Sequence, residues 1–237
     1  MPTLVLLRHG QSQWNLENRF TGWVDVDLTA EGEAQARKGG ELIKAAGIDF
    51  DEAYTSVQTR AIRTCNLALD AADQSFVPVT KDWRLNERHY GGLTGLNKAE
   101  TAQLHGEAQV NIWRRSYDIP PPELAPGGEY DFSRDRRYAG KALPTTESLA
   151  TTLVRVLPYW QSDIAPKLTA GETILVSAHG NSLRAIVKHL FAVPDADIVH
   201  VEIPTGNPLV IELDPTLKPV AARYLDESRA QELPAIA

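Results

Sequence analysis

Apolar residues in this chain come in two rhythms. Short unbroken runs, such as Leu4-Val5-Leu6-Leu7 and Ile174-Leu175-Val176, alternate with longer stretches where they recur every three or four positions. Unbroken runs of this length predict strands buried on both faces, and the three-to-four spacing predicts amphipathic helices. Strands are predicted at 3–8, 53–55, 76–79, 173–178, 199–203, 208–213 and 219–224. A short helix is predicted from the Ser12 cap through Trp14 and Leu16. A longer one is capped by Thr29, with Glu31 and Glu33 at its positive end, and stops at Gly47. Another follows Gln58-Thr59-Arg60, and two short ones fit between Lys98 and Tyr117. A long helix is expected from Glu147 to about Lys167, with Pro158 as a possible kink, and one from about Asn181 to Phe191. The alternation predicts a single α/β domain over 1–237, a three-layer sandwich with a mostly parallel central sheet flanked by helices. A Pro- and Gly-rich excursion near 118–144 reads as a lid-like loop, and the tail after Asp226 is short and charged.

Two of the strands end alike. The first stops at Arg8-His9-Gly10 and the fourth at Ala178-His179-Gly180, each followed by a segment able to start a helix. Functional groups of parallel α/β sheets gather beyond the carboxyl ends of the strands. If these strands are neighbours, His9 and His179 lie side by side, and the helix starts aim N–H groups at one spot, which suits an anion. A lone His-Gly is just as compatible with an ordinary turn. The doubled pattern, with Arg8 beside the first histidine and Arg60 in the first turn after the next strand, points to a phosphoryl site. Phosphoryl transfer needs an in-line nucleophile and neutralised equatorial oxygens; histidine can serve as the first and arginine forks supply the second.

The stretch 82–96 is too polar for core and too bulky for a linker. Glu87 in it reads either as a solvated loop carboxylate or as a proton donor to a leaving oxygen, with Arg84, Arg88, His89, Tyr90 and Lys98 nearby as candidate anion contacts. Arg114-Arg115 reads either as a solvated helix end or, with Arg8, Arg60, Arg88 and Lys98, as part of a positive pocket in an acidic protein. Cys65 sits on an apolar helical stripe and is expected in the core. His105, His189 and His200 are expected to be structural.

Composition narrows the field. With 237 residues, 43% of them hydrophobic, the chain can bury a substantial core, and its net charge of −7 argues against a nucleic-acid binder. There is no apolar run long enough for a membrane span and no basic-plus-apolar leader, so a cytoplasmic protein with no membrane partner is expected. One cysteine excludes an internal disulfide, and no HExxH or paired CxxC suggests a metal.

With these residues in view, the chain resembles the cofactor-dependent phosphoglycerate mutases of the histidine phosphatase superfamily along nearly its whole length. The resemblance rests on Arg8-His9-Gly10-Gln11-Ser12-Gln13-Trp14-Asn15, Asn18-Arg19-Phe20-Thr21-Gly22-Trp23, Tyr54-Thr55-Ser56, Leu85-Asn86-Glu87-Arg88-His89-Tyr90-Gly91, Gly95-Leu96-Asn97-Lys98, Trp113-Arg114-Arg115 and His179-Gly180-Asn181-Ser182-Leu183-Arg184. Arg-His-Gly marks the superfamily; Asn-Glu-Arg-His-Tyr-Gly and Trp-Arg-Arg mark the mutase branch. The resemblance implies interconversion of 3-phosphoglycerate and 2-phosphoglycerate, primed by 2,3-bisphosphoglycerate, without a metal and commonly as a homodimer. It implies that His9 carries the phosphoryl group, that Arg8, Arg60, Asn15 and His179 surround it, and that Glu87 moves the proton. Thr21, Gly22, Arg88, Tyr90, Lys98, Arg114, Arg115, Gly180 and Asn181 are implied to hold substrate. Ser12 fits the mutases, since glycine there accompanies the related bisphosphoglycerate synthase. Three features depart from the family: Gln at position 11 where Glu is commoner, a shorter excursion and a shorter tail. The rivals are a broad phosphomonoesterase on the same scaffold and a catalytically silent phosphate-binding protein.

Overall fold

A computed structural model describes residues 1–236. The chain runs β1 (Thr3–Arg8), α1 (Gln13–Leu16), α2 (Ala30–Ala45), β2 (Glu52–Thr55), α3 (Thr59–Ala71), β3 (Val79–Lys81), α4 (Lys98–His105), α5 (Glu107–Arg115), α6 (Leu149–Tyr159), α7 (Ala165–Thr169), β4 (Thr173–Ala178), α8 (Gly180–Leu190), β5 (Leu209–Leu213) and β6 (Pro219–Tyr224). The six strands form one sheet in the order β3-β2-β4-β1-β5-β6. β3, β2, β4 and β1 run parallel, and β5 is antiparallel to both β1 and β6.

Because side chains alternate across a strand, the apolar runs serve two cores. Leu4, Leu6, Ile174, Val176, Leu209 and Ile211 pack with Leu149, Val156, Leu168, Leu183 and Val187 from α6, α7 and α8. Val5, Leu7, Leu175 and Val210 point the other way, into a layer with Ile43, Cys65, Ala68 and Leu69 from α2 and α3. Thus every central apolar position is used, as a doubly covered sheet requires, and Cys65 is buried as expected.

Local signals set the helix starts. Thr29 Oγ1 accepts from Gly32 N at 3.1 Å, Ser12 Oγ from Asn15 N at 3.3 Å, and Ser148 Oγ from Thr151 N at 3.2 Å. The start of α2 lies hard against the loop after β1. A Cβ at Gly10 would come within 2.0 Å of Gly32 O, and one at Gly32 within 2.0 Å of Gln11 O. Only glycine at both positions permits this approach.

Two expectations are corrected, and the long helix is borne out with a bulge in it. The third strand is Val79–Lys81 rather than 76–79, because Pro78 cannot donate to the ladder and serves only as the carbonyl acceptor for Ala53 N. The helix expected from Glu147 to Lys167 is α6 and α7, separated by a widened π turn at Trp160–Ile164. Pro158 and Pro166 flank that turn, and neither can donate an i→i−4 bond. Residues 199–203 are not a strand. Ile198–His200 is a 3-10 turn, and the carbonyls of Ile198, Glu202 and Ile203 accept from Arg184, Tyr224 and Arg8 side chains instead of a neighbouring strand.

The excursion over 118–144 holds only 3-10 turns. It packs outside the loops that follow β1 and β3. Gly92 N donates to Pro122 O and Leu124 N to Thr145 O, Tyr138 OH accepts from Asn86 at 2.9 Å, and Arg137 pairs with Asp25. No helix among the described residues is long and apolar enough to cross a membrane.

Candidate active site

β1 and β4 are adjacent, and Arg8 stands opposite Ala178 at their carboxyl ends. One residue further on, His9 N donates to Ala178 O, and the rings of His9 and His179 lie 5.0 Å apart between centroids. The echo of two His-Gly junctions is therefore a spatial pair.

Each histidine is fixed by its less exposed surroundings. His9 Nδ1 lies 2.7 Å from Gly10 O. A carbonyl only accepts, so Nδ1 carries the proton and Nε2 keeps its lone pair. Burial, reinforced by Arg60 and Arg8, holds the His9 pKa well below the usual value for histidine, so the ring is neutral at neutral pH. His179 Nε2 contacts Ser56 Oγ at 2.8 Å, while its Nδ1 is buried without a partner. Burial and Arg60 lower its pKa in the same direction. A Ser56 hydroxyl donating to Nε2 leaves Nδ1 as an N–H free to meet an anionic oxygen.

The arginines are held by backbone carbonyls rather than carboxylates. Arg8 Nη1 donates to Ile203 O at 2.8 Å. Arg60, buried, donates to Val24 O at 2.9 Å and Gly22 O at 2.8 Å. Its pKa is pushed down to about 10 by burial, which still leaves it charged at neutral pH. Arg8 Nε and Arg60 Nε are buried without partners. Uncompensated buried cations are costly unless an anion completes them.

Glu87 enters from the loop after β3. Its Oε1 accepts from Arg88 N at 2.7 Å and from Asn181 N, in the first turn of α8, at 3.1 Å. Its backbone is clamped on both sides: Glu87 N donates to Gln58 Oε1 at 2.9 Å, and Glu87 O accepts from Trp23 Nε1 at 2.7 Å. Behind it lies a buried ion pair, Arg155 with Glu147, at 2.6 Å, with side chains 6% and 2% exposed. Glu147 also accepts from His89 N, and Arg155 donates to the carbonyls of Arg84, Asn86 and Glu87.

These elements enclose one cleft. Its walls include Arg8, His9, Asn15, Thr21, Gly22, Arg60, Glu87, Tyr90, Lys98, Arg114, Arg115, Gly180 and Asn181, all anticipated from the sequence, together with Arg19, Phe20, Arg184 and Glu202. Seven of the lining side chains are basic and two are acidic, so a chain with net charge −7 carries a focused positive pocket. Burial lowers the Lys98 pKa. Arg114 and Arg115, at the end of α5, thus belong to the cleft and not to a solvated helix end.

His179, fully buried beside His9, does not itself line the cleft, and three further anticipated contacts fall elsewhere. Arg88 is fully buried and does not line the cleft; it stacks over Tyr90 at 4.7 Å and donates to Arg114 O at 3.1 Å. Arg84 is turned outward, bound to Asp82 at 2.8 Å and stacked on Tyr159. His89 is buried on the far side of its loop, its Nδ1 accepting from Gly91 N at 3.0 Å. The excursion contributes nothing to the cleft; it braces the loops from outside. The supporting residues Glu147 and Arg155 gave no local signal, since both act on the loop at 84–89, far along the chain. Arg184 did give one: it lies one helical turn after Asn181, and its Nη1 donates to Asn181 Oδ1 at 2.9 Å.

A family model described as "Histidine phosphatase superfamily (branch 1)" matches residues 4–223. The chain belongs to the histidine phosphatase superfamily. Its curated relatives in that superfamily include a protein from a Caulobacter species, 86% identical with 100% of both chains covered, named 2,3-bisphosphoglycerate-dependent phosphoglycerate mutase. A protein of the same name from Hyphomonas neptunium is 65% identical, with 99% of both chains covered. Among solved structures, a mycobacterial glucosyl-3-phosphoglycerate phosphatase complexed with VO3 superposes with a TM-score of 0.69 at 23% identity, covering 90% of this chain and 93% of that one. At that identity the likeness is one of fold.

Proposed function

We propose that the chain is a phosphoglycerate mutase that interconverts 3-phosphoglycerate and 2-phosphoglycerate through a phosphohistidine at His9. The observation that carries this reading is the extent of the positive cleft. Arg8, Arg60 and His179 suffice for one phosphoryl group beside His9. Tyr90, Lys98, Arg114 and Arg115 form a second cluster in the same cleft, which a ligand with one phosphate would not require. Such a cluster suits the second phosphate or carboxylate of a phosphoglycerate through charge-assisted bonds.

The partnerless buried donors Arg8 Nε, Arg60 Nε and His179 Nδ1 fit the inner phosphate of 2,3-bisphosphoglycerate, and Arg114, Arg115 and Lys98 fit its outer end. When bound, this compound supplies the phosphoryl group that primes the enzyme. His9 Nε2 then forms an N–P bond as a P–O bond breaks. Arg8 and Arg60 neutralise the equatorial oxygens, and the His179 Nδ1–H donates a hydrogen bond to one of them. Glu87 hands its proton to the departing oxygen and takes one back from the attacking hydroxyl in the return step. Asn15, Thr21, Gly22, Gly180 and Asn181 shape the wall against which the substrate is aligned. Arg88 acts here from behind the wall, by supporting Tyr90. The same reading places the enzyme in the cytoplasm and expects a homodimer.

A coupled assay with and without 2,3-bisphosphoglycerate, run beside hydrolysis of the same compound and of p-nitrophenyl phosphate, tests it. Mutase turnover is expected to depend on the bisphosphate and to exceed hydrolysis greatly. Arg114→Ala with Arg115→Ala should abolish mutase activity and spare a slow phosphatase activity, because the His9 end is intact. Wild-type hydrolysis equal to or above mutase turnover would make the chain a phosphomonoesterase.

A further inference from the structure

The segment 198–203 forms part of the cleft's frame and holds three of its arginines in different ways. Ile203 O accepts from Arg8 at 2.8 Å and Ile198 O from Arg184 at 2.6 Å. Between them, the Glu202 carboxylate is ion-paired with Arg115. The first two are carbonyl contacts to guanidinium groups inside the molecule. The third is a full charge at the rim, with the Arg115 and Glu202 side chains 37% and 40% exposed.

Glu202 is one of two acids in the cleft wall. The other, Glu87, is buried and bonded to the amides of Arg88 and Asn181. Glu202 therefore stands alone against the outer cluster of Lys98, Arg114 and Arg115. Its backbone is anchored, since its carbonyl accepts from Tyr224 OH at the end of β6 at 3.1 Å, so the carboxylate stays near the rim even when it releases Arg115. Half-exposed ion pairs are weak and exchange readily. A ligand whose second anionic group reaches Arg115 must take the place of this carboxylate and then remain close to it.

We propose that Glu202 is the resident counter-ion of Arg115 and sets how weakly the outer end of the cleft holds an anion. It lowers affinity for ligands with a second anionic group and leaves the His9 end unaffected. For a mutase this favours exchange: binding substrate and transition state equally tightly lowers KM without raising kcat, and an unopposed trio of cations would retain product. The proposal rests on the reading of the outer cluster as the second anion subsite.

The test is calorimetric titration of the unphosphorylated enzyme with two probes. 3-Phosphoglycerate carries two anionic groups; inorganic phosphate carries one. Glu202→Gln is expected to tighten 3-phosphoglycerate about twofold to fivefold, the scale of one exposed charge pair, and to leave phosphate binding unchanged. In an Arg115→Ala background the same substitution is expected to change neither. Unchanged or weaker binding of 3-phosphoglycerate by Glu202→Gln would overturn the proposal. So would equal tightening of both probes, or an effect that persists without Arg115. Thermal melting checks that the variants fold. If the mutase reading is wrong, wild type shows no bisphosphate-dependent turnover in the coupled assay, while this comparison of affinities still reads the role of Glu202.

Discussion

His9 donates its Nδ1 hydrogen to the carbonyl oxygen of Gly10 across 2.7 Å, and this one bond decides which nitrogen can act. It leaves Nε2 unprotonated, and burial beside Arg60 and Arg8 keeps the ring from charging. A neutral imidazole with a fixed tautomer is a competent nucleophile toward phosphorus. Brief incubation with radiolabelled 2,3-bisphosphoglycerate should therefore label wild type and leave His9→Ala unlabelled. The label should be lost in acid and persist in base, as a P–N bond requires. Equal labelling of both proteins would remove His9 from the mechanism.

Glu87 meets the cleft with its carboxylate and the rest of the molecule with its backbone. Replacing the carboxylate by an isosteric amide keeps the Gln58 and Trp23 bonds to its main chain and removes the ability to take up and release a proton. Glu87→Gln should lower kcat by about 100-fold or more, the common scale for general acid–base catalysis, with a much smaller change in KM. A near-normal kcat would reduce Glu87 to a structural part of its loop.

Positive charge at the inner site comes from Arg8 and Arg60, and the neutral His179 adds an N–H donor, so a divalent cation is not needed there. Activity is expected to survive EDTA. Loss on chelation with recovery on adding a divalent ion would contradict the reading of the site.

The Arg155–Glu147 pair is buried and shared with three carbonyls of the Glu87 loop. Removing one partner strands a buried charge, which costs about 3–5 kcal/mol. Arg155→Met should lower the urea midpoint accordingly and also reduce kcat, since the loop that presents Glu87 loses its brace. Arg155→Met combined with Glu147→Met should recover part of the stability, because neither charge is then left alone. If the single variant melts like wild type, the pair is not a support.

Burial pushes His89 down to about 4 from an ordinary value near 6.5, and its Nδ1 accepts from Gly91 N, which only the neutral ring can do. The folded chain thus binds fewer protons than the unfolded chain between these values. Stability is full above about pH 6.5 and falls as the pH drops toward 4, by about 1.4 kcal/mol per pH unit for each such histidine. His9 and His179 are shifted in the same direction and add to the slope. Urea unfolding at a series of pH values should show this loss, with a shallower slope for His89→Gln. An identical slope in the variant would assign the acid sensitivity to other groups.

Much of this was readable along the chain because it is local. The run Leu4 to Leu7 ending at His9, its echo at 174–179, the caps at Ser12 and Thr29, and the basic pairs at Arg8 and Arg114-Arg115 each carry their meaning within a few residues. Strand pairing then needed only adjacency to bring His9 and His179 together. The errors came where backbone groups found partners far away. Residues 199–203 have a strand's apolar alternation, yet the carbonyls of Ile198, Glu202 and Ile203 were claimed by Arg184, Tyr224 and Arg8. Arg84 and Arg88 are equally charged and both lie within three residues of Glu87, yet one turns to Asp82 and the other is buried behind Tyr90.

By itself the sequence determined the α/β alternation, the two histidines at strand ends, the glycines that let the Gly10 loop meet α2, and the supply of arginines. Periodicity, capping and chain stiffness act over a few residues and are written there. Tertiary structure decided which nitrogen of His9 is free, which cations face the cleft, that the 118–144 excursion braces rather than lines it, and that Glu202 opposes Arg115. Those outcomes depend on competition among distant donors and acceptors for the same buried partners, and that competition is resolved only when the sheet has brought them together.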